Sequence, residues 1–186
     1  VSFVDFVLEI HRTLAGAGLP HAFGGALALA YVAQPRGTVD VDVNVFSPVD
    51  EIDTVLGVFG EIDLRAEEPR ARWVPIAGIR LRRDDGPYPV DLFASLDDRY
   101  TEVAARTVTR PFGPANVGLP FLSAEDLTVF KLSFGREKDW VDLRSIASSQ
   151  SGLDADYVER QLIGLRGPGM YPRLIRFRRL LREERG

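Results

Sequence analysis

The chain has 186 residues, 45% of them hydrophobic and 27% charged, with a formal net charge of −4 and no cysteine. That length suits one domain, or one domain with an appendage, and excludes a disulfide scaffold, while the net charge exerts no overall pull toward nucleic acid or anionic membrane. No run of about 18 apolar residues is present to span a bilayer, and the first residues lack the basic stretch and cleavage site of a secretory signal, so the expected setting is cytoplasmic with no membrane partner.

In chain order, Phe3, Phe6, Val7, Ile10 and Leu14 recur at helical spacing and predict a helix over 3–15, stopped by Gly16 and Gly18. A short strand over 19–23 follows, and Gly24 and Gly25 turn the chain into a short helix, ALALAYV, ended by Pro35. The segment TVDVDVNVF alternates strictly. Val39, Val41, Val43 and Val45 face one way and Asp40, Asp42 and Asn44 the other, which is a strand pattern. After Pro48, DEIDTVLGVF reads as a helix with Asp50 as its N-cap. Two strands, GIRLRR and YPVDLFASL, are separated by the turn signal DDGP, and the second carries Asp91. A short helix over 97–105 leads to a β-rich connection with a Gly-Pro turn. From Ser123 onward the chain reads as helical: Ser123 and Asp126 have capping-box spacing, and helices are predicted near 124–134, 138–148, 154–164 and 171–183. The expected organisation is an α/β core over 1–122 and a C-terminal helical region over 123–186 packed on it.

The aspartate strand carries the chemistry. Residues i and i+2 of a strand share a face, so Asp40 and Asp42 project two carboxylates roughly 7 Å apart at the backbone. A divalent cation removes their repulsion, and Mg²⁺ prefers a few carboxylate oxygens with substrate phosphates completing its shell. Asp91 lies between Val90 and Leu92 and faces opposite to both. If its strand pairs beside the first, three acids can hold two metals, one activating an attacking oxygen and one neutralising a polyphosphate leaving group. That chemistry is phosphoryl or nucleotidyl transfer. Gly24 and Gly25 let backbone amides and a helix N-terminus approach an anion, and Arg36 and Thr38 offer further phosphate donors. GxGxxG and GxxxxGK[ST] loops are both missing. The competing interpretation is an antiparallel strand with one wet face.

In AEDLTVFKLSF, Lys131 falls on or beside the apolar stripe of Leu127, Phe130 and Phe134, where it must snorkel or find an anion such as a triphosphate. In KDWVDLRSIA, Asp139, Asp142, Leu143 and Ile146 share a helical face, so at least one acid turns inward. Asp142 either orients Lys131, acts as a base, or pairs with an arginine such as Arg136. His11 and His21 have neither metal-ligand spacing nor a neighbouring nucleophile and are read as structural, and Trp73 and Trp140 as core or rim. The terminal segment MYPRLIRFRRLLREERG is rich in arginine and has two readings, a solvated basic helix face or a phosphate-backbone contact surface.

Taken together, Gly24-Gly25, then Arg36, Thr38, Asp40 and Asp42, then Asp91, then DLTVFKLSFGREKDWVDL resemble the nucleotidyltransferase superfamily related to polymerase β. Within it they look closest to the minimal bacterial AbiEii/MenT-like toxin enzymes, over about residues 20–150. The resemblance implies a small mixed sheet flanked by helices. Asp40, Asp42 and Asp91 would bind Mg²⁺, with a two-metal site expected and Asp91 also a candidate base. Gly24, Gly25, Arg36, Thr38 and Lys131 would hold an NTP, and Lys131 with a following aspartate, Asp142 or else Asp139, would also serve catalysis. The implied reaction moves an NMP from an NTP to an acceptor hydroxyl. The acceptor would be a tRNA 3′ end if the chain is a toxin with a cognate antitoxin, or else an aminoglycoside-like small molecule or a protein side chain. An inactive binding module is a further alternative. One departure is Gly25, where much of the superfamily has serine.

Overall fold

The computed structural model describes residues 1–69, 78–95 and 98–185. Trp73 and the first residue of the predicted 97–105 helix therefore lie outside the described residues. By its backbone contacts the chain divides into two compact units, one of Val1–Leu27 and Gly37–Phe121, the other of Ala28–Arg36 and Leu122–Gly186.

The first unit is built on a mixed sheet of seven strands among the described residues: β1 (His21–Phe23), β2 (Val41–Pro48), β3 (Arg65–Ala66), β4 (Ile79–Arg82), β5 (Val90–Ser95), β6 (Val108–Phe112) and β7 (Val117–Phe121). Their order is β3-β4-β5-β2-β1-β7-β6. β2 runs parallel to β5 and antiparallel to β1, so the aspartate strand is interior. Val41, Val43 and Val45 are fully buried, as the alternation predicts. The strand starts later than the alternation suggests. Thr38 Oγ1 accepts the Asp40 N–H at 3.1 Å and so occupies a donor that a ladder would need. Asp40 thus precedes the strand, and Val39, expected inside, is 58% exposed.

Helix α1 (Phe3–Gly16) is capped by Ser2, whose Oγ accepts from the Asp5 N–H, and it buries Phe6, Val7, Ile10 and Leu14. Helix α2 (Gly25–Val32) follows β1. Asp50 is not an N-cap. Val49–Glu51 form a 3₁₀ turn directly after β2, so α3 (Ile52–Gly60) begins two residues later, behind Glu51 and without a side-chain cap. The α4 helix (Arg99–Ala105) completes this unit.

The second unit is helical: α5 (Ala124–Phe134), α6 (Glu137–Ser149), α7 (Ala155–Arg166) and α8 (Tyr171–Arg185). Ser123 caps α5 by accepting the Asp126 N–H at 3.1 Å. Asp126 is itself buried and accepts the Tyr157 hydroxyl at 2.6 Å, which ties α5 to α7. The left-handed Gly135 ends α5, and Arg173 from α8 donates to the carbonyls of Leu132 and Ser133 there. The core of this unit includes Leu127, Leu132, Leu143, Ile146, Val158, Leu162 and Phe177.

Candidate functional site

Sheet register assembles the acidic group in the first unit. Asp42 and Asp91 are direct partners across the parallel β2 and β5 strands, and Asp91 is in turn the partner of Arg80 across β5 and β4. Laterally paired residues share a face, so Asp42, Asp91 and Arg80 form one row over three strands. The third carboxylate joins as the alternation required. Arg80 was invisible to the sequence reading, because nothing in GIRLRR distinguishes one arginine from its neighbours until strand pairing is known.

Arg80 grips two of the acids. Its Nη1 donates to both oxygens of Asp91 at 2.9 Å, and its Nη2 donates to Asp40 Oδ1 at 2.9 Å. Desolvation alone would lower the Arg80 pKa; its hydrogen bond and charge pairing with Asp91, and then Asp40, outweigh it and shift it upward. All three side chains are about one-third exposed, so solvent and ligands reach them.

The glycine loop packs against the third acid. Gly25 has φ +52°, and a Cβ there would lie 1.8 Å from Asp42 Oδ2. Any other residue would meet both left-handed strain and the carboxylate itself. The Gly24 N–H donates to the Asp42 backbone carbonyl at 2.9 Å. That amide fastens the loop to β2. Thr38 likewise acts locally. Its hydroxyl donates to the Asp40 carbonyl as well as accepting the Asp40 N–H, which fixes this residue at the strand entrance. Two positions beyond Asp42, Asn44 is only 3% exposed rather than wet, and its Oδ1 has no hydrogen-bond partner among the described residues.

The second unit gathers a different cluster. The Lys131 side chain is 5% exposed, with its ammonium 2.7 Å from Asp142 and 3.8 Å from Asp139. Both acids expected to compete for the inward position are buried. Asp142 also receives Arg36, through Nε at 3.0 Å and Nη2 at 3.1 Å. The expected pairing of Asp142 with Arg136 is not made. Arg136 instead donates to Asp139 from its backbone and guanidinium, because three residues of helix place them together at the start of α6. Burial alone would raise the Asp142 carboxyl, but the hydrogen bonds and charges of Arg36 and Lys131 hold it below the usual carboxylate range.

The remaining candidates have structural partners. Leu19 O can only accept, so His21 Nδ1 donates to it at 2.8 Å, and the neutral His21 Nε2 accepts from His11 Nδ1 at 3.0 Å. Trp140 lies at the rim, with Nε1 donating to Gly135 O and the Arg176 guanidinium 3.8 Å above its ring. In α8, Arg173 caps α5 and Arg178 pairs with Asp156 and Glu159.

Asp40, Asp42 and Asp91 offer only carboxylate oxygens, the donors Mg²⁺ prefers, and the orphaned Asn44 Oδ1 lies on the same strand. Among the described residues, however, no three acidic or histidine side chains converge to cage a cation. The donor chemistry fits, while Arg80 occupies Asp40 and Asp91.

Solved structures share this architecture. The antibiotic-resistance factor ANT(2'')-Ia in solution matches at TM-score 0.59 and 17% identity, over 95% of this chain and 96% of that one. The same enzyme in complex with adenylyl-2"-tobramycin matches at TM-score 0.56 and 15% identity, over 94% and 96%. The lincosamide antibiotic adenylyltransferase LnuA, lincomycin-bound, matches at TM-score 0.50 and 13% identity, over 77% and 94%. No protein-family model matches the chain, and no curated protein does. The chain has a nucleotidyltransferase fold.

Proposed function

We propose that the chain is a Mg²⁺-dependent nucleotidyltransferase that moves an NMP from an NTP to an acceptor hydroxyl. The observation that carries this reading is the lateral pairing of Asp42 with Asp91 across parallel strands, with Asp40 at the strand entrance. Asp40, Asp42 and Asp91 would hold Mg²⁺, which when bound supplies charge neutralisation at the polyphosphate and lowers the pKa of an attacking hydroxyl. Gly25 keeps the Asp42 carboxylate against the loop, Thr38 fixes Asp40, and Asp91 takes the acceptor proton. Arg36 and Lys131 are assigned to the polyphosphate, with Asp142 orienting both.

For the acceptor, we favour a small hydroxyl-bearing molecule. The likeness to antibiotic-modifying enzymes extends over nearly the full length of ANT(2'')-Ia, and two α8 arginines counted toward an RNA surface are engaged within their own unit. A second reading, transfer to a tRNA 3′ end by a toxin-type enzyme held by an antitoxin, draws on one feature. A groove of about 530 Å³ between α6 and α8 sets Trp140 and Arg176 beside Arg144 and Arg179, although Glu137 and Glu183 share the lining and Arg179 and Arg144 pair with Glu183 and Glu184.

The test incubates the chain with Mg²⁺ and each labelled NTP, against a panel of aminoglycosides and lincosamides in one arm and total tRNA in the other. Label on a small molecule supports the favoured acceptor, and label on RNA the second. Asp42→Ala should reduce transfer about 10³-fold, the loss that several kcal/mol of charge stabilisation implies. Absence of label in every arm, with no NTP bound, would leave a binding module and overturn the reading.

A further inference from the structure

We propose that His11 and His21 form an acid-operated clasp between α1 and β1, which keeps its hold on taking up a first proton and opens on the second, loosening the glycine loop at the other end of β1. The clasp is independent of the proposed reaction and uses neither the acidic row nor the Lys131 cluster.

Three observations support it. First, the donors and acceptors are fully assigned. The Leu19 carbonyl accepts the His21 Nδ1 proton at 2.8 Å, so the neutral His21 Nε2 accepts the His11 Nδ1 proton at 3.0 Å. His11 Nε2, on a half-buried ring, is then the nitrogen left for a first proton, and adding it strengthens the bond that His11 donates. A second proton has only His21 Nε2 to take. That nitrogen is the acceptor of the bond, on a residue 8% exposed, so the second proton breaks the clasp and sets two imidazoliums side by side. Second, the described neighbours do not offset that charge. Arg12, the next residue of α1, adds positive charge beside His11. Phe23 on β1, Val45 and Phe46 on β2, Pro120 on β7, and Ala104 and Thr107 at the end of α4 lie about His21 and carry none. Burial first, then Arg12, lowers the His11 pKa; burial and His11 outweigh the Leu19 hydrogen bond and lower that of His21. Third, β1 is a short lever. It spans three residues from His21, and the Gly24 N–H just beyond its end donates to the Asp42 carbonyl at 2.9 Å. Among the described residues it pairs with β7 at Phe23 and Phe121 alone. Loss of the anchor at one end of so short a strand is felt at the other.

The experiment follows both imidazoles of the full chain by long-range nitrogen–proton correlation spectra from about pH 8 to 4, with the protection of the Gly24 amide against hydrogen exchange measured alongside. At the start His21 should show a protonated Nδ1 and an unprotonated Nε2. The rings should then titrate as a coupled pair, in two steps separated by roughly two pH units, the size of like-charge repulsion between rings whose centroids are 5.1 Å apart. Gly24 protection should hold through the first step and fall about tenfold with the second, the opening that loss of one hydrogen bond allows. In His11→Gln the incoming proton has only the His21 acceptor to take, so protection should fall with that single step. Independent titration of the two rings, wild-type protection that falls with the first step or stays flat through both, or flat protection in His11→Gln overturns the clasp. Should His11→Gln fail to fold, His21→Gln is held to the same comparison: His11 should titrate alone with Gly24 protection unchanged across its step, and a fall there overturns the clasp.

Discussion

The two units solve the same electrostatic problem in opposite ways. In the first, Asp40 and Asp91 share one arginine at a site about one-third exposed. In the second, Asp139 and Asp142 meet Lys131 almost out of solvent, with Arg36 and Arg136 closing the cluster from outside. Exposure decides what each can do. A screened, solvated pair is worth roughly 0–1 kcal/mol and is readily exchanged. A buried group stripped of its counter-charge leaves the other ion stranded at a cost of about 3–5 kcal/mol. The exposed group is open to ligands, and the buried one holds Lys131 and Arg36 in fixed positions.

The sharpest way to break this contrast is by removing one acid from each. Asp142→Ala should destabilise the chain by about 3 kcal/mol or more in urea, because Lys131 and Arg36 lose their shared anion. Asp40→Ala should change stability by less than about 1 kcal/mol, because its pair with Arg80 is about one-third exposed, while lowering transfer. Equal destabilisation by the two would show that burial does not separate them.

A smaller effect tests the loop. Gly25→Ala adds a Cβ against Asp42 at a residue with φ +52° and should lower stability by about 1–2 kcal/mol. Transfer should fall with it, since the Asp42 carboxylate must move; loss of stability with transfer intact would detach the glycine from the site.

Acid gives the gentlest test. The Asp142 carboxyl is depressed in the folded chain, so its contribution is present above the unfolded pKa, about 3.9, and is lost as pH falls through the folded value. The stability difference between wild type and Asp142→Asn should therefore stay constant from about pH 8 to 5 and shrink only below about 4. His11 and His21 behave differently. Burial, with neighbouring charge, lowers both, so their contribution is present above the unfolded value near 6.5 and is lost as pH falls through the folded values. Wild-type softening between about pH 7 and 5 should trace to that pair and persist in Asp142→Asn.

What the sequence made legible was what repeats locally. The 3.6-residue spacing located α1 and α6 to α8 within a few residues, because each buries one stripe, whereas α5, buried at every residue from Asp126 to Leu132, was marked by the capping spacing of Ser123 and Asp126. The two-residue alternation located Val41, Val43 and Val45 in the core. Asp42 and Asp91 could be placed on one face only under the assumption that their strands pair, and they do. Arg80 stayed hidden because its meaning depends on strand order. Arg36 reaches Asp142 across 106 residues of chain, a separation no periodicity encodes. The helix start at Asp50 failed for a local reason, a 3₁₀ turn tight against the end of β2.

The row of Asp42, Asp91 and Arg80 bears on folding as well as on chemistry. A slip of one residue between β4 and β5 would point Arg80 into the apolar side of the sheet and bring Leu81 out among the acids. The misaligned sheet would carry a stranded charge on each side at once. The charged row thus acts as a proofreading mark for strand alignment, and a chain that has assembled its acidic group has thereby aligned β4 and β5.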